Sequence, residues 1–427
     1  MSRARLTDDS QLAVESEHDD VFVTDLPRRV VGSRAQRRKD PMAESNPQPG
    51  LGLSVVYEGP FRGTSGYAKM NRNYASILSR LGVKVRVLSN ENVGDEDLAF
   101  SEDVEALEYT SVPQDAARIT GATVPMTHGG NGRRILYTMM ESSQGVHKEY
   151  AERLNMVDEV WVPTNYLKDM LAHSGVAAPI EVFPLGVDLN LYNPDARPIA
   201  FKDGLRRFKF LSVFAWSWRK GYDLLLKSFL LEFSKEDDVC LVISTKPRIR
   251  AFDGILKDIA GVGDELQKPK SIRPQVVVHV NSLPEEKMPS LYRAADAFVM
   301  LSRGEGMGLP YLEAGACGLP VIATNCTAQS TFLDDNVAYM VEPEGYAVAD
   351  INQPALRGMA SISRFFEGQM FPVYGDDAID QARAAMRRVF EHRDEALAKA
   401  NVLRKRIEKK YTWDRTARLM VSRLRRE

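Results

Sequence analysis

Hydrophobic and polar positions follow two alternating periods from about residue 52 onward. Short apolar runs predict buried strands, and apolar residues spaced by three or four predict helices. In the first half, the predicted strands are 53–57, 83–88, 134–140, 159–162 and 180–183, and the predicted helices are 69–81, 148–155 and 165–174. Strands that alternate with helices indicate a parallel sheet with helices on both faces.

A polar, proline-containing stretch at 190–203 interrupts this pattern, which then begins again. The second half predicts strands at 210–215, 239–244, 276–280, 297–301 and 321–324, and helices at 222–233, 285–294, 309–317, 379–408 and 415–424. We therefore expect an α/β protein with two Rossmann-like domains, at 51–200 and 201–408, and a last segment, 409–427. Two such sheets joined by a linker form a cleft, and ligands bind beyond the carboxyl ends of their strands.

Residues 1–50 have a different composition, with an acidic stretch at 8–20 followed by a basic stretch at 28–39. Such a segment buries too little apolar surface to offset the entropy of ordering. One interpretation is a solvated tail without regular structure. The other is an electrostatic tether to an acidic surface or acceptor.

Charge and cysteine content narrow the class of protein. The formal net charge is -2, which does not favour nucleic acid or an anionic membrane as the main partner. The three cysteines, Cys240, Cys317 and Cys326, form no C-x-x-C pair, so we expect neither a disulfide framework nor a zinc site. The sequence shows neither a signal peptide nor an apolar run of membrane-spanning length, so we expect a cytoplasmic protein without an integral membrane segment.

The densest chemical signal lies between a predicted strand and a predicted helix, at 302–320. Gly304, Gly306 and Gly308 allow the backbone to turn tightly and to approach a ligand. Pro310 suits the first turn of a helix, and Gly318 suits its C-terminal stop. The free N–H groups at such a helix start can bind a phosphate or a sugar oxygen.

Two carboxylates frame this turn: Glu305 in the loop and Glu313 about one turn inside the helix. A carboxylate can accept hydrogen bonds from two neighbouring hydroxyls, as on a ribose or a hexose. Acidic residues near a helix N-terminus also stabilise the helix dipole without binding anything. Residue types alone leave these two interpretations open.

The string E-G-M-G-L-P-Y-L-E, from Glu305 to Glu313, resembles the E-x7-E signature of the large family of retaining GT-B glycosyltransferases, which includes sucrose synthases and bacterial mannosyltransferases. Four further pieces resemble family motifs in the same order: P-L-G-V-D at 184–188, K-G at 220–221 before Y-D-L-L-L, L-Y-R-A-A-D at 291–296 and Y-T-W at 411–413. The resemblance covers about residues 52–427. It implies a GT-B fold in which the last helix, within 409–427, returns to the N-terminal domain.

By the same resemblance, the chain transfers a hexose-like sugar from a UDP- or GDP-sugar, with retention and without a further cofactor. Glu313 would bind the ribose hydroxyls, and Lys220 would neutralise the departing diphosphate. Glu305 and the following segment would hold the transferred sugar and the distal phosphate; that segment is Gly306, Met307, Gly308 and Leu309. Lys220 taken alone is equally compatible with a surface lysine. The acceptor, which could be a glycan, lipid, protein or modified nucleic acid, and the oligomeric state are not indicated.

The sequence departs from the family pattern at three positions. Ala215 stands where the family usually has an arginine, and Arg219 is the candidate to replace that charge. Met307 replaces a commoner phenylalanine, which is a tolerable apolar exchange. Many members have a histidine where this chain has Glu141, which would bind the sugar or the acceptor, or would merely cap the next helix. The loop ending at Gly66 is similar to the family's glycine-rich loop, which faces the donor across the cleft.

Metal binding is not indicated. Asp95-Glu-Asp97 imitates a D-x-D metal motif but lies far from the other motifs, and the six histidines form no cluster of ligands. We expect Glu305, Lys220 and Glu141 to be the catalytic residues, with Arg219 and Lys220 supplying positive charge instead of a metal. The alternative is a non-catalytic sugar-nucleotide-binding or scaffolding protein on the same fold.

Overall fold

The structure is a computed structural model that describes residues 21–23, 51–90, 102–124, 131–201, 204–246, 252–279, 283–349 and 368–426. Two parallel sheets, each covered by helices, form two domains whose cleft is lined by the loops at the carboxyl ends of the strands. The predicted α/β class and the GT-B arrangement of two Rossmann-like domains are confirmed. The chain leaves the first sheet at Val182 and enters the second at Phe208, and the domain boundary between them stays a prediction.

The first sheet has six parallel strands in the order β3-β2-β4-β5-β6-β7. They are β2 (Ser54–Gly59), β3 (Lys84–Ser89), β4 (Ala117–Gly121), β5 (Arg134–Tyr137), β6 (Glu159–Val162) and β7 (Ile180–Val182). The helices are α1 (Gly66–Arg80), α2 (Glu102–Glu105), α3 (Lys148–Leu154) and α4 (Asn165–His173). The sequence did not predict β4, because Ile119 is its only large apolar residue.

Helix α1 begins three residues earlier than its apolar spacing predicts. Ser65 caps it, and the Ser65 hydroxyl accepts a hydrogen bond from the Ala68 amide at 3.1 Å. The helix therefore starts at Gly66, at the carboxyl end of β2 and inside the glycine-containing loop. This start places Lys69 in the first turn, at the cleft.

The second sheet contains seven parallel strands in the order β1-β10-β9-β8-β11-β12-β13. They are β1 (Val21–Val23), β8 (Phe208–Ala215), β9 (Val239–Lys246), β10 (Gln275–His279), β11 (Ala297–Met300), β12 (Val321–Thr324) and β13 (Tyr339–Val341). Its helices are α5 (Tyr222–Glu232), α6 (Phe252–Glu265), α7 (Met288–Arg293), α8 (Leu309–Ala316), α9 (Asp376–Glu391) and α10 (Arg393–Lys410).

Strand β1 differs from the expectation of a tail without regular structure. Val21–Val23 pairs in parallel with Val276–Val278 of β10. The triplet V-F-V is the one apolar, β-favouring run between the acidic and basic stretches, and it covers a strand that would otherwise be the edge of the sheet. The remainder of 1–50 lies outside the described residues.

The predicted single helix at 379–408 is two helices, α9 and α10, which meet at His392. The break lets each helix bury its own apolar face. Helix α9 packs on α5, whereas α10 packs on α8, where Leu403 and Ile407 lie against Gly315. A straight helix could not reach both partners.

The last helix, α11 (Trp413–Leu424), returns to the first domain as the resemblance implies. The Trp413 ring meets the Tyr74 ring edge to face at 5.1 Å between centroids. Arg423 contacts Glu159 on β6 through two hydrogen bonds, at 3.0 and 2.9 Å. A parallel bridge between Val187 and Thr412 ties the two chain crossings together.

A two-stranded antiparallel hairpin, β14 (Gly345–Val348) and β15 (Met370–Val373), follows the second sheet. The sequence did not predict it. The Ser143 amide of the first domain donates to the Met370 carbonyl at 2.8 Å, so the hairpin touches both domains. Its Phe371 ring is buried and meets Trp218 edge to face at 5.8 Å.

Candidate active site

The E-x7-E segment lies at the cleft, in the turn between β11 and α8. Gly308 caps α8 with φ +86°, a left-handed conformation that favours glycine, and Pro310 lies in the first turn. Glu305 and Glu313 are both buried, at 5% and 6% exposure. Buried carboxylates require partners, and the structure supplies different partners for each.

Glu305 is paired with Lys220. The Lys220 ammonium lies 2.6 and 2.8 Å from the two Glu305 carboxylate oxygens, and the Ser302 hydroxyl donates to Oε1 at 2.7 Å. Lys220 ends the 3-10 turn Trp218–Lys220 after β8. Gly221 follows at φ +66°, and a Cβ there would lie 1.8 Å from the Leu301 carbonyl. The K-G pair thus lets the β8–α5 loop touch the end of β11 and places Lys220 on Glu305.

The surroundings shift the pKa values of both side chains of this pair. Burial lowers the pKa of Lys220, and the neighbouring Glu305 opposes this shift only in part. Burial also raises the pKa of Glu305, but the charges of Lys220 and Arg219 outweigh it and hold that pKa below its ordinary value. Glu305 is therefore an anion at neutral pH. The two contacts use two of the three N–H donors of the ammonium.

Arg219 joins the two domains at the same place. Its guanidinium donates to the Gly304 carbonyl and lies 3.6 Å from Glu305 and 3.4 Å from Glu141 of the first domain. The capping interpretation of Glu141 is wrong, because His147 is the N-cap of α3 and its ring accepts from the Glu149 amide. Glu141 instead points at the cation beside the E-x7-E turn.

A second arginine near the turn, Arg303, is paired with a different carboxylate. Arg303 makes two hydrogen bonds of 2.7 Å to the Asp223 carboxylate and stacks over the Trp218 ring at 4.5 Å. Burial raises the pKa of Asp223, but Arg303 outweighs it and lowers that pKa overall. Ala215 ends β8. Arg219 lies beside Glu305, whereas Arg303 does not, and the replacement of the family arginine by Arg219 stays a prediction.

The backbone after Glu305 presents unused donors. Among the described residues, no acceptor is found for the amide groups of Gly306, Met307, Gly308 and Leu309. Met307 is buried at 1% exposure and packs into the domain, and the four amides belong to the segment that leads into the N-terminus of α8. Buried N–H groups without a partner are costly, and at a helix N-terminus they are suited to an anion.

Glu313 is held by Lys69, which the sequence did not single out, and by Tyr292, which lies in the motif at 291–296. The Lys69 ammonium, from α1 in the first domain, lies 2.6 Å from Oε1. The Tyr292 hydroxyl donates to Oε2 at 2.7 Å. Lys69 stands three residues after Gly66, where the glycine-containing loop becomes a helix. This position was the signal from which the sequence could have identified Lys69.

The glycines of the two loops differ in what a Cβ at each position would meet. A Cβ at Gly304 would lie 1.8 Å from the Glu141 carbonyl, and one at Gly306 would lie 2.7 Å from Cβ of Met139. These two glycines let the domains approach each other, rather than only letting a ligand approach as the sequence suggested. A Cβ at Gly66 meets nothing within 4 Å, so Gly66 leaves open space at the N-terminus of α1.

Other expectations concern metals, thiols and membranes. In the described part of the chain, no group of three or more His, Cys, Asp or Glu residues could hold a metal ion. Asp95–Asp97 lies outside the described residues. Cys240, Cys317 and Cys326 are free and buried. No described helix combines the length and the apolar character needed to cross a membrane.

Comparisons with known proteins show which family and which folds this chain is similar to. The sequence profile of the family described as Glycosyl transferases group 1 matches residues 206–354. A D-inositol 3-phosphate glycosyltransferase of Arthrobacter sp. (strain FB24) is 32% identical over 42% of this chain and 43% of its own length. A GDP-mannose-dependent alpha-(1-6)-phosphatidylinositol monomannoside mannosyltransferase of Mycolicibacterium smegmatis is 30% identical over 44% of this chain and 50% of its own length. The matched segment therefore spans half or less of these relatives.

Solved structures extend the likeness to nearly the whole fold. Sucrose-phosphate synthase of Thermosynechococcus elongatus superposes with a TM-score of 0.61 at 16% identity, covering 87% of this chain and 98% of the other. An E. coli trehalose-6-phosphate structure bound with UDP-2-fluoro glucose gives 0.59 at 12% identity, covering 88% and 99%. Residues 206–354 therefore form a Glycosyl transferases group 1 domain within a chain that has the GT-B fold.

Proposed function

We propose that this chain transfers a hexose-like sugar from a UDP- or GDP-sugar to an acceptor, with retention at the anomeric carbon. The observation that carries the proposal is one buried group at the cleft: the Lys220–Glu305 pair, the four unused amides of 306–309, and Glu313. Glu305, the helix start with Lys220, and Glu313 suit the three parts of a nucleotide sugar, which are the sugar, the diphosphate and the ribose.

Each group has a distinct task in this proposal. Glu313 accepts hydrogen bonds from the ribose hydroxyls, and the amides of 306–309 bind the diphosphate. Glu305 binds hydroxyls of the transferred sugar. Lys220, with Arg219, stabilises the negative charge that develops on the departing diphosphate, which is a preorganised electrostatic contribution in a site with little water. The leaving diphosphate also helps to remove the proton of the attacking acceptor on the same face of the sugar.

The proposal includes no cofactor or metal, because Arg219 and Lys220 supply the positive charge that a metal would otherwise bring. Glu141, paired with Arg219 from the opposite domain, is placed to contact the sugar or the acceptor. The names of the relatives make inositol-containing acceptors the first to screen, ahead of other glycan, lipid, protein or nucleic-acid acceptors. The three free thiols support a reducing, cytoplasmic location.

The experiment has two stages. A thermal-shift screen of UDP- and GDP-sugars identifies the donor, because a ligand that binds only the native state raises the melting temperature. Release of nucleoside diphosphate is then measured for the wild type and for Glu313→Ala and Lys220→Ala. We expect each variant to lose at least about tenfold in transfer, roughly 1.4 kcal/mol in the transition state.

Lys168→Ala is the matched control, because Lys168 is an exposed lysine on α4 that contributes no contact to Glu305 or Glu313. Wild-type turnover in a folded Glu313/Lys220 double variant would contradict the proposal. Donor binding without any turnover would favour the non-catalytic sugar-nucleotide-binding alternative. A chelator should leave turnover unchanged, and a requirement for added metal would refute the metal-independent chemistry.

A further inference from the structure

Glu313 belongs to the second domain, but its strongest partner belongs to the first. Lys69 lies in the first turn of α1, next to the sheet that contains β2 and β3, and its Nζ atom is 2.6 Å from Glu313 Oε1. The two side chains are 11% and 8% exposed. The contact is therefore a buried ion pair across the cleft between the domains.

The Lys69 ammonium has a complete set of acceptors. Besides Glu313, it lies 2.9 Å from Glu285 Oε1 and donates to the Tyr192 hydroxyl at 3.0 Å. Three acceptors match the three protons of an ammonium. A buried ion pair is maintained only when such additional hydrogen bonds offset the cost of removing both charges from water. The position of the ammonium is thus set by three separate contacts.

The other oxygen of Glu313 is fixed as well. The Tyr292 hydroxyl donates to Oε2 at 2.7 Å, and the Tyr292 ring meets the Tyr192 ring at 6.1 Å between centroids. Lys69 and Tyr292 thus hold the carboxylate at both oxygens. Each carboxylate oxygen has about two acceptor positions, so one position on each remains for another donor. Two neighbouring hydroxyls of a ribose suit that pair of positions.

The surroundings keep Lys69 charged. Burial lowers the pKa of Lys69, but the negative charges of Glu313 and Glu285 more than reverse this and hold it well above its ordinary value. Lys69 therefore remains a cation throughout the neutral range. Glu313 faces a permanent positive charge supplied by the opposite domain.

Local structure does not explain this lysine. Helix α1 has no acidic residue in its first turn and places a cation there instead. A positive charge near a helix N-terminus opposes the helix dipole and is locally unfavourable. Departures from local preference of this kind are expected at functional sites.

We propose that Lys69 is a positioning residue for nucleotide recognition: together with Tyr292, it holds the Glu313 carboxylate in the orientation that binds the ribose hydroxyls. The inference rests on the proposed role of Glu313 toward ribose. It adds that the ribose site is divided between the domains and is complete only when Lys69 contacts α8. Selectivity for a ribose with both hydroxyls then depends on closure of the cleft.

The test compares nucleotides that differ only in the ribose hydroxyls. UDP and GDP, and the 2′,3′-dideoxy form of each, are titrated calorimetrically into the wild type, Lys69→Met, Lys69→Gln, Glu313→Gln and Lys168→Met. The nucleotide that binds the wild type is the probe. We expect Lys69→Met to weaken binding of the ribonucleotide by about tenfold and to leave binding of the dideoxy form nearly unchanged. The reason is that Lys69 affects binding only through the contact of Glu313 with the ribose hydroxyls.

Lys168→Met removes an exposed lysine of the same domain and should retain the wild-type preference for ribose. Lys69→Gln keeps a polar group in the site and serves as the second variant if Lys69→Met does not fold. An equal loss for both nucleotides in the Lys69 variants would mean that Lys69 binds phosphate, and an unchanged preference would mean that it plays no part. Either result overturns the inference.

The outcomes also separate this inference from the proposed function. One possible result is that the wild type prefers ribose, that Glu313→Gln loses this preference and that Lys69→Met keeps it. In that case only the inference about Lys69 is wrong. If the wild type shows no preference for ribose, the role of Glu313 and the inference are both wrong. Absence of binding by UDP, GDP and their sugars would refute the proposed function itself.

Discussion

Substitution of Gly304 by alanine tests whether activity requires the close approach of the two domains. Gly304 lies in the loop before Glu305, and a Cβ at this position would be 1.8 Å from the backbone carbonyl oxygen of Glu141 in the opposite domain. Its φ angle is not in the left-handed region, so alanine introduces no backbone strain of its own. The perturbation is therefore a steric block across the cleft.

The size of the effect follows from the distances. Real Cβ contacts essentially never fall below 3.0 Å, so the segments have to separate by more than about 1 Å. The Lys69–Glu313 hydrogen bond of 2.6 Å is lost when it is stretched by that amount, and the Arg219–Glu141 contact of 3.4 Å moves outside ion-pair range. A misplacement of about 1 Å costs roughly 100-fold in rate, or about 2.7 kcal/mol.

The assay combines donor turnover, thermal melting and solution scattering. We expect Gly304→Ala to lose about 100-fold in turnover, with a larger radius of gyration and a melting temperature close to that of the wild type. Gly345→Ala is the control, because a Cβ there meets nothing within 4 Å. Gly304→Ala with wild-type turnover and wild-type scattering would refute the argument that closure assembles the site.

Three further changes have distinct expected outcomes. Gly66→Val should leave the melting temperature nearly unchanged, because a Cβ at Gly66 meets open space. It should weaken donor binding in a titration. An affinity equal to that of the wild type would show that this loop does not face the donor. Because the pKa of Glu305 is lowered in the folded protein, ionised Glu305 stabilises the fold at pH values above its ordinary pKa of 4.5. This stabilisation is lost as the pH falls through the pKa of Glu305 in the folded protein. Glu305→Gln should therefore melt below the wild type at pH 7, and this difference in melting temperature should shrink as the pH is lowered below 4.5; a constant difference contradicts this. A chain starting at Pro47 should retain turnover but melt lower and associate more, because removal of β1 exposes the edge of β10; an unchanged melting temperature would show that β1 adds no stability.

The sequence by itself determined the class of fold and most of its elements. Periodic apolar runs identify strands because a buried parallel strand has to be apolar on both faces, and this holds without knowledge of the neighbours. The E-x7-E and K-G strings marked Glu305, Glu313 and Lys220 only through their resemblance to family motifs, because residue types alone left the roles of these side chains open. Where a strand has a single large apolar residue, as with Ile119 of β4, the local pattern was too weak.

The tertiary structure alone decided which side chains meet. Lys69 and Glu313 are separated by 244 positions, and only the facing of the two domains brings them to 2.6 Å. The separate partners of α9 and α10, the pairing of β1 with β10, and the contact of Glu141 with Arg219 depend in the same way on packing between distant segments. A linear pattern records the local preference of each segment, whereas these contacts are set by shape and charge across the cleft.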